Sequence, residues 1–104
     1  EEYISTFRRY FKPQTGFDGE YALAIEGKKK KLILSVRGPK LECHYGNTVR
    51  PDVEMQLTRG ILEDIVNGRM TFQRAFMSGG MKTKGDFKVL RTLDQLFVFE
   101  EKGL

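Results

Sequence analysis

The chain has 104 residues, 39% of them apolar and 31% charged, with a formal net charge of +4 at pH 7. That size and balance describe one soluble domain with a single core, and no apolar run approaches the length of a membrane span. A single cysteine, Cys43, excludes an intrachain disulfide, and with one histidine it makes no zinc site unless distant carboxylates join in.

Nothing near Glu1 resembles a signal peptide, and the lone thiol fits a reducing compartment, so the expected location is cytoplasmic. Residues 1–104 read as one domain, and the numbering can begin inside a longer product because Glu1 already sits in a helical pattern. From Glu1 to Phe11, Ile4, Phe7 and Phe11 recur at helical spacing with Tyr3 and Tyr10 beside them, and Pro13 and Gly16 end the pattern. Tyr21, Leu23 and Ile25 then alternate with small or polar residues, as a half-buried strand does. Leu32, Leu34 and Val36 repeat this after the lysine run, and Leu41, Cys43 and Tyr45 repeat it after Gly38-Pro39. Three strands on short loops predict an antiparallel meander.

Gly46-Asn47 closes the meander and Arg50-Pro51 opens a longer connection. Val53, Met55 and Leu57 alternate with Asp52, Glu54 and Gln56, which predicts a fourth strand with one wet face. Thr58 is placed to cap a helix carrying Ile61, Leu62, Ile65 and Val66 on one side, with Gly68 as its C-terminal stop. Thr71 is placed to cap a second, short helix bearing Phe72, Ala75, Phe76 and Met77, which Gly79-Gly80 breaks. Met81 and Thr83 face one way and Lys82 and Lys84 the other, predicting a short fifth strand. Asp86 is placed to cap a last helix with Val89, Leu90, Leu93, Leu96 and Phe97 on its apolar face, and 100–104 read as a frayed tail. The order predicts an α+β two-layer fold, a mixed five-stranded sheet covered on one face by helices.

The chemistry-bearing residues are scattered. Cys43 and His44 are strand neighbours and point to opposite faces, so they form no nucleophile–base pair. Asp52 with Glu54, and Glu63 with Asp64, read as solvated faces of a strand and a helix. Gly79-Gly80 lacks the spacing of a phosphate loop. Lys28 to Lys31 lie between two strands and read as a solvated hairpin turn; with no aromatic interleaved they indicate no single-strand stacking platform, and nucleic-acid binding through the turn is the weakest of the alternatives. From Thr58 to Phe97, by contrast, nearly every inward position is Ile, Leu, Met or Phe. Such a stretch builds an apolar compartment, which points to a bound hydrophobic molecule rather than to catalysis or a cofactor. Ile61, Ile65, Phe72, Phe76, Met77, Met81, Leu93, Leu96 and Phe97 are its expected lining, with ordinary core as the alternative for each. Methionine favours lining, because its flexible thioether adapts to ligands of different shape. Lys82, Lys84 and Lys88 lie near the expected entrance and could meet a carboxylate, a CoA phosphate or an anionic membrane there, but the favoured reading of them is a solvated outer face.

The second half also resembles the sterol carrier protein type 2 domain. The resemblance rests on Pro51-Asp52-Val53 with Met55 and Leu57, on Gly68-Arg69, on Gln73-Arg74-Ala75-Phe76-Met77-Ser78-Gly79, and on Met81-Lys82-Thr83-Lys84-Gly85-Asp86. Two positions depart from that family's pattern: Phe72 replaces a usual proline, and Thr83 a larger aliphatic residue. Phe72 would narrow the compartment and Thr83 would set a hydroxyl beside it. The resemblance implies a hydrophobic tunnel between the sheet and the late helices that accepts fatty acyl chains, acyl-CoA or sterol-like molecules without catalysis. The rival expectation is an interaction module, alone or beside a fused enzyme, whose apolar groove is filled by a partner helix or by a second copy in a homodimer.

Overall fold

The computed structural model describes residues 3–47 and 50–99. Glu1 and Glu2, where the first helix was expected to begin, and the expected frayed tail 100–104 lie outside them. The elements follow the order α1 (Ile4–Arg9), β1 (Gly19–Ile25), β2 (Lys31–Arg37), β3 (Lys40–Gly46), β4 (Val53–Leu57), α2 (Arg59–Val66), α3 (Phe72–Met77), β5 (Met81–Gly85) and α4 (Val89–Leu96). The first helix is shorter than its stripe implies: Phe11 lies beyond it, in an isolated antiparallel bridge with Phe97.

The five strands form one sheet in the order β3-β2-β1-β4-β5. β1, β2 and β3 make the antiparallel meander, β4 lies parallel to β1, and β5 is antiparallel to β4. Register aligns the apolar positions across all five. Tyr21 sits opposite Leu34 and Val53, Leu23 opposite Leu32 and Met55, and Ile25 opposite Leu57, which itself faces Met81. Because side chains alternate with period two, that alignment gathers most of the apolar strand residues onto one face. The helices cover this face, and the core joins Leu23, Leu34, Val53 and Met55 to Phe7, Leu62, Phe72 and Leu93.

Among the described residues no helix covers the opposite face, yet Ala22 and Ile33 are buried there at 0% and 1% exposure, outside the main core. Long polar side chains shield them. The Lys31 ammonium reaches Glu54 Oε1 at 2.6 Å, and Ser35 Oγ donates to Glu20 Oε2 at 2.9 Å. The aliphatic stems thus lie over the small central residues of β1 while the charged ends pair. This corrects the reading of Lys28 to Lys31 as solvated throughout. The turn is where it was expected, closed by Lys28 N donating to Ile25 O at 3.0 Å, but Lys31 belongs to β2 and is paired. Glu54 is held below its usual carboxylate range, chiefly by its hydrogen bond to Lys31.

Candidate functional site: the aromatic layer between sheet and helices

Local sequence sets the frame of the compartment. Thr58 Oγ1 accepts from Ile61 N at 3.2 Å and starts α2, whose buried side is Leu62, Ile65 and Val66. Thr71 Oγ1 accepts from Arg74 N at 3.1 Å and starts α3. At α3 a second capping group arrives from far along the chain. Asp94 of α4 accepts from Phe72 N at 2.7 Å and from Gln73 N at 3.1 Å. Three of the four amides that a helix leaves open are therefore satisfied, two by a residue some twenty positions away. Asp86 does not cap α4 as expected. Its Oδ1 accepts from Lys88 N at 3.0 Å and closes the preceding turn, while Lys88 holds the cap position without a side-chain bond. The turn from Asp86 is already hydrogen bonded three residues on, to Val89 N and Leu90 N from Asp86 O and Phe87 O, so the helix needs no side-chain cap there.

Asp94 has an unusual environment for a carboxylate. Burial pushes its pKa up, against the two amide hydrogen bonds, which pull it down. An acid whose folded pKa is raised adds stability below its unfolded value, 3.8, and that increment is lost as pH rises through the folded value. Asp94→Asn removes the titration. The stability difference between wild type and Asp94→Asn is therefore expected to fall as pH rises above 3.8, which denaturant titrations across the acid range measure directly. A difference that stays flat would mean that burial is not the dominant influence on this group.

The nine expected lining residues separate into three groups. Ile65, Phe72, Met81, Leu93, Leu96 and Phe97 are buried together at 0–3% exposure in the layer between sheet and helices. Ile61 and Phe76 are half-buried at its rim. Met77 points outward at 76% exposure, which corrects its assignment to the interior. α3 has only six residues, and Phe72 and Ala75 occupy its inward positions, so Met77 falls on the far side of the helix. Phe76 is correspondingly turned to the edge, where its ring stacks on Phe87 at 5.5 Å and 22°.

Phe7 of α1 also belongs to this layer. It is fully buried, 5.2 Å from the Phe97 ring centroid, 5.4 Å from Phe99 and 6.5 Å from Phe72. The helical stripe at the start of the chain marks Phe7 as buried but gives no sign of what it touches. Phe72 fills space as its departure from the family pattern suggested, and meets Phe7 in doing so. Thr83 is half-buried and turned toward the helices, in register with Met55.

The layer is closed. At 0% exposure Phe72, Leu93 and Leu96 adjoin no water-sized space. A partly open pocket of about 100 Å³ reaches its edge, between Ile65, Met70, Asp94, Phe97 and Phe99. That is smaller than the ~150 Å³ apolar cavity that suffices for benzene. Lys82 and Lys84 point away from the helical layer, on the outer side of edge strand β5, rather than toward an entrance to it. Cys43 is buried in the apolar face with its thiol pushed up to about 11 by desolvation, while His44 is exposed on the other face. No group of three or more histidine, cysteine or acidic residues is placed to hold a metal ion among the described residues. Nor is any helix there long and apolar enough to cross a membrane.

The profile of the SCP-2 sterol transfer family matches residues 13–98. No curated protein sequence matches significantly. Among solved structures the chain is similar to palmitated SCP2L2 from Aedes aegypti, at 17% identity and a TM-score of 0.68, covering 96% of this chain and 98% of that one. It is similar also to sterol carrier protein 2 from Yarrowia lipolytica in its apo form, at 17% identity and a TM-score of 0.65, covering 88% and 70%. A stereoselective inverting sec-alkylsulfatase from Pseudomonas sp. matches at 24% identity and a TM-score of 0.68 over 86% of this chain, which spans 14% of that enzyme.

Proposed function

Because this chain belongs to the SCP-2 sterol transfer family, we propose that it binds and transfers a lipid without catalysing its conversion, with a long acyl chain as the cargo. The observation that carries this reading is the aromatic layer itself. Its buried residues are apolar, and Cys43 and His44, on opposite faces of the sheet, form no nucleophile–base pair beside it. The palmitated state of the Aedes aegypti protein, whose fold this chain shares across nearly its whole length, favours a fatty acyl chain over acyl-CoA or a sterol-like molecule.

A chain of ~16 carbons gains on the order of 12 kcal/mol gross when fully buried. Association and ordering remove much of that, leaving an affinity around micromolar, suited to a carrier that must release. The ligand takes the space between Ile65, Phe72, Leu93, Leu96 and Phe97. Since this space is filled, binding displaces part of the layer, and the segment that moves is α1. It is six residues long, has no side-chain cap, and starts from Tyr3 at a φ of 74°, a left-handed backbone that a tyrosine adopts only under constraint. Lifting α1 withdraws Phe7 and joins its volume to the neighbouring pocket. The rival reading, an interaction module, is served less well, because Phe72, Leu93 and Leu96 are fully buried and offer a partner no surface.

Native mass spectrometry and thermal melts of delipidated protein with palmitate test the proposal. One retained acid per chain and a concentration-dependent rise in melting temperature are expected. Neither retention nor a thermal shift up to the solubility limit of the acid would overturn it.

A further inference from the structure

Met77 and Phe87 are exposed at 76% and 53%, and they are not isolated. Phe76, which precedes Met77 on α3, stacks on Phe87 in the turn before α4, so the exposed methionine follows directly in the chain on an aromatic pair; these three side chains are the ridge. Single exposed apolar side chains are ordinary, but a stacked aromatic pair extended by a methionine and left open to water is a recognition feature. Cations outnumber acids around the ridge. Lys88 follows Phe87 directly, Arg91 lies one turn further on, and Arg74 lines a surface groove together with Met77. All three are exposed, and none makes an ion pair among the described residues. The acids nearby are engaged by backbone amides: Asp86 by Lys88 N, and Asp94 by Phe72 N and Gln73 N.

We propose that this ridge docks the domain on an anionic lipid surface, with Met77 and Phe87 entering the boundary between headgroups and acyl chains and Arg74, Lys88 and Arg91 meeting lipid phosphates. Apolar insertion and cationic attraction together are what such a surface rewards, and neither alone gives stable attachment. A second copy is a poor occupant: two identical cationic ridges repel, and three side chains fall well short of the roughly 800 Å² per partner of a stable interface. The inference extends the lipid-binding reading and rests on it for its purpose, since a carrier must meet a bilayer to collect and release its cargo.

The test uses delipidated protein without palmitate, so that its failure leaves lipid carriage to be judged separately by the palmitate titration. The chain has no tryptophan, so Phe87→Trp supplies a single fluorescent reporter. With phosphatidylcholine vesicles containing phosphatidylserine, its emission is expected to shift to the blue and the protein to co-sediment, both reversed by high salt. With phosphatidylcholine alone neither should occur. Lys88→Gln/Arg91→Gln should weaken partitioning about 30-fold, the contribution of two cations near an anionic surface. Met77→Gln/Phe87→Ser should weaken it as well, with at most a small fall in melting temperature from the lost Phe76–Phe87 stack, which leaves the protein folded at the assay temperature. The charge-matched variant Lys29→Gln/Lys30→Gln, on the hairpin turn, should bind nearly as wild type. Equal loss in that variant, no dependence on phosphatidylserine, or a dimer that Phe87→Ser dissolves would each overturn the assignment.

Discussion

Phe7→Ala is expected to lower the free energy of unfolding by about 3–5 kcal/mol, the usual cost of emptying a fully buried phenylalanine site. For a domain of this size that is a fall in melting temperature on the order of 15 °C or more. The ring is completely buried and meets three other phenylalanines, with two contacts at 77° and 88°, the edge-to-face arrangement that adds to plain burial. Tyr3 and Ile4 pack with it against the core, and the Tyr10 ring meets Phe99. Arg8 Nη2 reaches Cys43 O only at 3.5 Å, and the Tyr3 hydroxyl donates to Glu63 Oε2 at 2.7 Å. The variant also separates two roles for the residue. If Phe7 occupies volume that the acyl chain takes, palmitate should raise the melting temperature of Phe7→Ala by more than that of wild type, because the ligand then fills a space already vacated. Calorimetry with and without palmitate reads both effects. A large apo destabilisation with an equal or smaller palmitate shift would make Phe7 core and place the ligand elsewhere.

Gly85→Ala should be nearly as costly, for a backbone reason. Gly85 ends β5 at a φ of +105°, and a Cβ there would lie 2.6 Å from Asp52 O and 3.2 Å from Val53 Cα. The neighbour that would have to move is itself fixed. Asp52 O accepts from Asp86 N at 2.9 Å, Asp52 N donates to Glu20 O at 2.7 Å, and Asp52 Oδ2 accepts from Glu20 N at 2.8 Å. The start of β4 is thereby tied to β1 on one side and to the end of β5 on the other. We expect a loss of about 3 kcal/mol from strain and clash combined. Because β5 is an edge strand with one partner, the damage should stay local: amide exchange should accelerate in β5 while β1 and β2 keep their protection. Gly16→Ala is the control, since its φ of +82° is similarly left-handed but its Cβ would meet nothing within 4 Å. Equal losses in the two variants would show that the clash with Asp52 contributes nothing.

Gly85 also shows why part of this protein is legible from its sequence. The Gly-Asp pair at the end of β5 and the aspartate at the start of β4 carried much of the family resemblance, and the structure supplies their reason. They form one knot of backbone hydrogen bonds with no room for a side chain. The strands were equally legible, because period-two alternation in each determines the buried face whatever the pairing partner. The caps Thr58 and Thr71 act within three residues of themselves, on Ile61 and Arg74, and so appear in the sequence as local signals. Asp86 shows how narrow such signals are, its bond closing the turn ahead of α4 rather than the helix.

What the sequence determined by itself is therefore what short-range physics controls: the elements, their apolar faces, and the membership of the buried set. The tertiary structure alone decided which buried residues meet. Phe7 and Phe97 are ninety positions apart in the chain and 5.2 Å apart in space. Asp94 reaches α3 from another helix, and Lys31 crosses the sheet to Glu54. It also decided between inward and outward on α3, where a six-residue helix has too few turns for its own pattern to separate Phe72 from Met77. Periodicity states that a residue is turned away from water; only the packing of the other elements states against what, and that pairing carries the chemistry of the site.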